Sequence, residues 1–97
     1  MSPNSPKYVV IFQARIAALD NEYFQLAEML RARAINQYGC IRFTSCCEND
    51  NEIALSYWPD RESIRRWAND AEHRRAQQLG HEKWYESVQV EIAELPA

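Results

Sequence analysis

The chain has 97 residues, of which 46% are apolar and 26% charged, and its formal net charge is −3. This length suits one domain, and the composition excludes extended disorder, because disordered segments lack this much apolar and aromatic material. The acidic balance argues against nucleic acid as a partner, since nucleic-acid binding depends on a basic surface. We expect residues 1–6 to form a flexible lead-in and residues 7–95 to form a single domain.

The first half of the chain predicts a strand, a helix and a hairpin. Residues 8–15 are rich in β-branched and aromatic types, which favours a strand. A helix follows, capped by Asp20 or Asn21 and closed near Gly39. Residues 40–47 and 52–58 predict two strands around a polar turn. The helix is indicated by apolar positions spaced by three and four residues, at Tyr23, Leu26, Ala27, Leu30 and Ala34.

The second half predicts a broken helix and a final strand. A helix begins after Pro59, where Asp60 is a suitable cap, and Asn69 and Asp70 are expected to interrupt it. A second helical segment should cover residues 71–79 and end at Gly80. Residues 87–95 alternate between apolar and polar types, as in a half-buried strand. The order βαββαβ predicts an α+β, ferredoxin-like fold with a four-stranded antiparallel sheet and the helices on one face.

The sheet predicted here carries apolar side chains on both faces, although helices can cover only one of them. We expect Tyr8, Val10, Phe12 and Trp58 to lie on the uncovered face. A bare apolar face usually marks an interface, and a second copy can cover it with two-fold symmetry. The sequence therefore predicts a homodimer.

The three cysteines, Cys40, Cys46 and Cys47, are odd in number and two are adjacent, which excludes a disulfide framework. We interpret them as reduced, packed thiols of a cytoplasmic protein. The longest apolar run, residues 8–12, is too short to cross a membrane. An arginine cluster is expected to form a solvated helix face, with Glu62 pairing with Arg66 at i,i+4 spacing. Its members are Arg61, Arg65, Arg66, Arg74 and Arg75.

A series of residues in the second half carries a family resemblance. Its most specific part is a Trp, a His six residues later, an Ala-Gln pair, a Gly and a Trp-Tyr pair. The matching positions are Tyr57, Trp58, Asp60, Glu62, Ser63, Ile64, Trp67, Ala71, Glu72, His73, Ala76, Gln77, Leu79, Gly80, Lys83, Trp84 and Tyr85. In this pattern the chain resembles the antibiotic biosynthesis monooxygenase family. The resemblance implies a dimeric α/β barrel with a pocket between sheet and helices in each subunit.

The resemblance implies two kinds of chemistry. Some members oxidise anthrones or quinols with molecular oxygen and no cofactor, and others bind and degrade haem. Anthrone-type members carry an Asn, a Trp and a Tyr where this chain has Ser63, Trp67 and His73. Haem-degrading members carry their iron-binding His at the position of Gln77. The chain thus keeps the Trp and departs at the other three positions.

His73 is the candidate catalytic base, because a cofactor-free oxygenase needs a group that deprotonates the substrate near neutral pH. Asp70, three residues earlier, is expected to orient its ring. Ser63 and Gln77 are predicted to contact the substrate, and Gln13 to enter the pocket from the end of the first strand. Trp67, Trp84 and Tyr85 are candidate aromatic walls, although aromatic residues at helical spacing often serve packing alone.

Three functions follow from this sequence. The first is a cofactor-independent oxygenase acting on a small aromatic or quinol-like molecule. The second is a haem-binding or haem-degrading protein that recruits His73. The third is a non-catalytic dimeric module that binds a small ligand or is only structural. A nucleotide cofactor is not expected, because two glycines are too few for a phosphate-binding loop.

Overall fold

A computed structural model describes residues 5–96. The predicted lead-in, residues 1–6, lies mostly outside this part. The strands are β1 (Tyr8–Ile16), β2 (Arg42–Glu48), β3 (Asn51–Trp58) and β4 (Tyr85–Glu94), and the helices are α1 (Asn21–Gln37), α2 (Arg61–Ala68) and α3 (Ala71–Leu79). The four strands form one antiparallel sheet in the order β2-β3-β1-β4. The predicted fold class is confirmed.

The helices begin and end where local chemistry allows it. The carboxylate of Asp20 accepts a hydrogen bond from the backbone N–H of Tyr23 at 2.9 Å, and Asp60 does the same for Ser63 at 2.7 Å. Both are N-caps, which satisfy backbone donors that the first helical turn leaves free. After α1 the chain reverses at Gly39, whose φ of 83° favours glycine. The predicted cap at Asp20 and the glycine stop are both confirmed.

The α-helix α3 ends at Leu79 with Gly80 as its C-cap, as predicted, but the helical backbone does not stop there. Gly80 has helical dihedral angles, and the chain continues through a π-helical turn, Gly80–Trp84, before β4 begins. A Cβ atom at Gly80 would lie 3.0 Å from Cδ2 of Tyr85, which is tighter than most Cβ contacts in proteins. Glycine is therefore favoured here by the close approach of an aromatic ring and not by a positive φ.

The sequence also assigned the wrong face of the sheet to the helices. In the register of β1 and β3, Tyr8 lies opposite Trp58, and Val10 lies opposite Ser56. Val10 and Trp58 pack with helical residues in the core, and Trp58 is completely buried. The uncovered face is the opposite one, with half-buried apolar side chains at Ile11, Ile53, Leu55 and Tyr57. Strict alternation separates the two faces, but it cannot say which face the helices choose.

Two apolar clusters hold the helices on the sheet. The first joins Val10, Trp58 and Trp67 with the end of α1 at Ala34. The second joins Leu26, Leu30 and Trp84 with Leu79 of α3. Because α1 contributes residues to both clusters, it connects them and packs along the length of the strands.

Several surface predictions are corrected in detail. Cys40 is buried, but Cys46 and Cys47 are exposed free thiols, so packing does not explain them. The arginine cluster is exposed as expected, although Glu62 pairs with Arg65, at i,i+3 spacing, and not with Arg66. Within residues 5–96, no helix is both long and apolar enough to cross a membrane.

Candidate active site

The rings of His73 and Trp67 lie in contact where α2 gives way to α3. Their ring centroids are 4.2 Å apart with an interplanar angle of 62°. Within the described part of the chain, Nδ1 of His73 and Nε1 of Trp67 are buried and have no hydrogen-bond partner. Buried polar atoms are nearly always paired in folded proteins, since leaving one unpaired costs about 1–3 kcal/mol. Both of the unpaired buried side-chain atoms found in the described residues therefore lie on these two touching rings.

The indole N–H groups of the other two tryptophans both have hydrogen-bond partners. Nε1 of Trp58 donates to Oγ of Ser56 at 2.8 Å, and Nε1 of Trp84 donates to Oδ1 of Asp20 at 3.1 Å. Trp67 is also buried, with 8% of its surface exposed. Its free N–H is therefore a property of this position and not of buried tryptophans in this fold.

Burial sets the protonation of His73. It lowers the pKa of the imidazole below the usual histidine value, and the negative charge of Asp70 opposes this shift only in part. The ring is therefore neutral at physiological pH and can accept a proton.

Asp70 supports His73 differently from the prediction. Its carboxylate accepts hydrogen bonds from the backbone N–H groups of Glu72 at 2.9 Å and His73 at 3.3 Å, and so caps α3. It also accepts from the hydroxyl of Tyr38 at 2.6 Å and pairs with Arg33 at 3.1 Å. Asp70 thus positions His73 through the backbone of α3, and the hydrogen bonds that it accepts from His73 come from the main chain and not from the imidazole ring.

An apolar strip lies on the same side of the sheet as the helices. Phe12 of β1 lies opposite Val90 of β4, and Val10 lies opposite Ile92, so all four side chains share the helix-covered face. Val90 and Ile92 are nonetheless 56% and 43% exposed. The helices therefore leave the β4 edge of this face open, and a flat apolar molecule can cover it.

A buried carboxylate lies farther along the same face. Glu52, opposite Ala14 in the register, is only 6% exposed. Its two oxygens accept hydrogen bonds from two phenols, Tyr23 through Oε1 and Tyr85 through Oε2 at 2.6 Å. Burial raises the pKa of Glu52, and burial next to this carboxylate raises the pKa of Tyr85. Unlike His73 and Trp67, this group has its hydrogen bonds satisfied within the subunit.

The ring of Tyr85 is fixed from several sides. It makes edge contacts with Phe12 at 5.6 Å and with Tyr23 at 6.3 Å between centroids. The absent side chain of Gly80 leaves the space that its Cδ2 and Cε2 atoms approach. The position of Tyr85 is therefore determined by packing, with its hydroxyl held on Glu52.

The structure brings together only some of the predicted site residues. Trp84 is a core residue, 2% exposed and bonded to Asp20. Ser63 is half-buried beside the α1–β2 connection, where its Oγ lies 3.9 Å from the position of a Cβ at Gly39. Gln77 is exposed on α3. Gln13 is exposed on the opposite face of the sheet, paired with Ile53 in register, so the subunit does not bring it to the His73 side.

Sequence reasoning missed Glu52 and Tyr23. The signal for Glu52 was present, because it continues the alternation of Ala54, Ser56 and Trp58 and so places a carboxylate on their face. Its importance depended on knowing that this face is the covered one. Tyr23 was treated as an apolar helix position, and only the fold shows that its hydroxyl reaches a strand. Within residues 5–96, no group of three or more His, Cys, Asp or Glu side chains is arranged to hold a metal ion.

Comparison with known proteins places the chain among relatives of the same fold. No family model matches it. It is 34% identical over 95 residues to the uncharacterized protein YqjZ of Bacillus subtilis, covering 97% of this chain and 83% of that protein. It is 29% identical over 94 residues to the jasmonate monooxygenase ABM of Pyricularia oryzae, covering 93% of this chain. The chain spans 44% of the length of that fungal protein.

Solved structures show the same architecture. SnoaB, a cofactor-independent oxygenase from Streptomyces nogalater, superposes with a TM-score of 0.77 at 12% identity, over 96% of each chain. An antibiotic biosynthesis monooxygenase superposes with a TM-score of 0.71 at 16% identity, over 93% of this chain and 99% of the other. At these identities the structural similarity shows only the fold, and the family relationship rests on the sequence relatives. The chain belongs to the antibiotic biosynthesis monooxygenase family.

Proposed function

We propose that this protein is a cofactor-independent monooxygenase that acts on a small aromatic, quinol-like molecule. The observation that carries the proposal is the pair of buried, unpartnered nitrogens on the touching rings of His73 and Trp67. One ring is a neutral imidazole that can take a proton, and the other is an indole that can only donate one. A phenol can give a proton to the imidazole, and the oxygen of the phenol or of its keto form can accept a hydrogen bond from the indole N–H.

His73 acts as the general base in this proposal. It removes a proton from the activated O–H or C–H group of the substrate and becomes an imidazolium. Negative charge then develops on the substrate oxygen, and Nε1–H of Trp67 donates a hydrogen bond to it. Both groups are fixed by packing, so little reorganisation accompanies the charge movement.

The substrate supplies all the electrons in the oxygenation. The carbanion passes one electron to O₂, and the resulting radical and superoxide combine to form a C–O bond. The peroxide takes a proton from His73, and its O–O bond then breaks as the second C–H proton leaves with the outer oxygen as water, which gives a carbonyl. Overall, a CH₂ group and O₂ become C=O and H₂O, and the base is regenerated.

The relatives support oxygen chemistry without deciding the substrate. One sequence relative is a jasmonate monooxygenase, and one structural neighbour is a cofactor-independent oxygenase. For the aromatic class, the support is the strip of Phe12, Val90 and Ile92 on the same sheet face as Val10, which packs with Trp67, since such a surface suits a flat apolar molecule.

The test is oxygen uptake by the purified protein with anthrones and quinols, comparing His73→Gln with His81→Gln. His81 is the second of the two histidines and is exposed, so it controls for loss of an imidazole elsewhere. We expect His73→Gln to lower the rate at least about 100-fold, the usual contribution of a general base, and His81→Gln to leave it unchanged. Full activity in His73→Gln would overturn the base assignment. Binding without oxygen uptake in the wild-type protein would favour the non-catalytic module.

The haem alternative fits these residues poorly. Gln77 occupies the position at which the resemblance expects the iron ligand. We expect haemin titration to give no saturating Soret shift that depends on His73. A one-to-one shift lost in His73→Gln would establish the haem function instead.

We also infer that two copies associate through the uncovered face of the sheet. Its centre carries half-buried Ile11, Ile53, Leu55 and Tyr57, an apolar surface of the kind that oligomers bury. We expect Leu55→Glu to shift the protein from dimer to monomer in sedimentation velocity, whereas Gln89→Glu, on the same face but in the edge strand, should not. A monomeric wild-type protein would contradict the dimer.

A further inference from the structure

We propose that Tyr85 reads the far end of the substrate and accepts a hydrogen bond there, so that the preferred substrate carries a hydroxyl group remote from its reacting centre. The inference rests on the function proposed above and adds the polarity of the molecule that the site takes. Two features of the site support it, namely the direction of the hydrogen bonds around Glu52 and the position of Tyr85 along the sheet.

The hydroxyl of Tyr85 already donates its one hydrogen bond within the subunit. It donates to Oε2 of Glu52 at 2.6 Å, and Glu52 has 6% of its surface exposed. The other oxygen of Glu52 accepts from the hydroxyl of Tyr23. A carboxylate has no proton to return, so the oxygen of Tyr85 can offer a ligand only an acceptor. A ligand hydroxyl satisfies that oxygen, whereas a methoxyl or a carbonyl cannot.

Tyr85 lies at the opposite end of the same face from Trp67. Trp67 packs with Val10 and Trp58, while Glu52 lies opposite Ala14. Four residues of strand separate Val10 from Ala14, which corresponds to about 13 Å. The ring of Tyr85 reaches back to Phe12, midway along this interval. The covered face therefore has a donor at one end, the indole of Trp67, and an acceptor at the other.

Helix α3 spans the same interval from above. It begins next to the Trp67 contact at His73 and reaches the second cluster at Ala76 and Leu79, before Gly80 meets Tyr85. A planar molecule lying along Phe12 can therefore reach the rings of His73 and Trp67 with its reacting end and Tyr85 with its far end. Tyr85 is half-buried, so part of its ring remains open to a ligand.

The experiment uses two anthraquinones that differ in one substituent at the end of an outer ring, a hydroxyl in one and a methoxyl in the other. Binding is measured by quenching of tryptophan fluorescence, at a pH below the pKa of the phenol. We expect the wild-type protein to bind the hydroxyl compound roughly three- to tenfold more tightly, the usual net effect of one hydrogen bond. Tyr85→Phe should remove this preference without abolishing binding of the methoxyl compound.

A matched variant separates this role from a structural one. Tyr23→Phe removes the other phenol from Glu52 but keeps the bond from Tyr85 to the carboxylate, so the preference should persist even if the protein is less stable. An unchanged preference in Tyr85→Phe, equal affinities in the wild-type protein, or no binding of either compound would each overturn the inference. A preference without oxygen uptake would keep this inference and overturn the monooxygenase proposal, so the two fail separately.

Discussion

Two polar groups on the helix-covered face of the sheet differ in how completely their hydrogen bonds are satisfied. At Glu52, a buried carboxylate receives hydrogen bonds from Tyr23 and Tyr85. At His73 and Trp67, two buried nitrogens have no partner within the described residues. A satisfied group stabilises the fold and holds its members in place, whereas an unsatisfied group lowers stability until a ligand binds. We interpret the first as a fixed support and the second as the reacting end of the site.

The largest effect should come from breaking the satisfied group. Tyr23→Phe leaves one oxygen of the buried Glu52 carboxylate without a donor, and bonds to a charged group contribute about 1.5–3 kcal/mol. We expect the free energy of unfolding in urea to fall by about that amount.

Tyr8→Phe is the matched control for this variant. The hydroxyl of Tyr8 makes no hydrogen bond to other described residues, and its ring lies beneath Arg61 at 5.0 Å. The control should change stability by less than about 0.5 kcal/mol. Equal losses in the two variants would show that the phenol–carboxylate bond does not stabilise the fold.

A smaller, pH-dependent effect should come from the unsatisfied group. Because burial lowers the pKa of His73, the unfolded chain takes up a proton as the pH falls below about 6.5, while the folded protein does not. The free energy of unfolding therefore has its full value above pH 6.5, as far as His73 is concerned. It falls as the pH is lowered toward the pKa of His73 in the folded state. The loss cannot exceed about 1.4 kcal/mol per pH unit for this single group.

His73→Leu supplies the reference for that measurement. It removes the titrating ring and its unpaired nitrogen, so at neutral pH its stability should stay within about 1 kcal/mol of the wild-type protein, despite the lost contact with Trp67. Between pH 7.5 and pH 5, the free energy of unfolding in urea should fall further in the wild-type protein than in His73→Leu. Parallel curves would show that the His73 ring titrates as it does in the unfolded chain, and the contrast with Glu52 would not hold.

Site residues that are close together in the chain could be predicted from the sequence, whereas contacts between residues far apart in the chain could not. His73 and Trp67 are six residues apart on consecutive helices, and the family resemblance singled them out before the fold was known. Glu52 and Tyr85 are 33 residues apart in the chain, so their contact depends on the pairing of distant strands. Gln13 shows the opposite error, because its place at the end of β1 suggested the pocket while the register assigns it to the other face.

By itself, the sequence determined the order of strands and helices, the caps at Asp20 and Asp60, and the break before α3. These features depend on neighbouring residues, through hydrophobic period, capping and turn chemistry. Only the tertiary structure decided which face of the sheet the helices cover. That choice buried Trp58 and Glu52, and it left Ile11 and Leu55 on the uncovered face. Alternation along a strand is symmetric between the two faces, and only packing against distant helices breaks that symmetry.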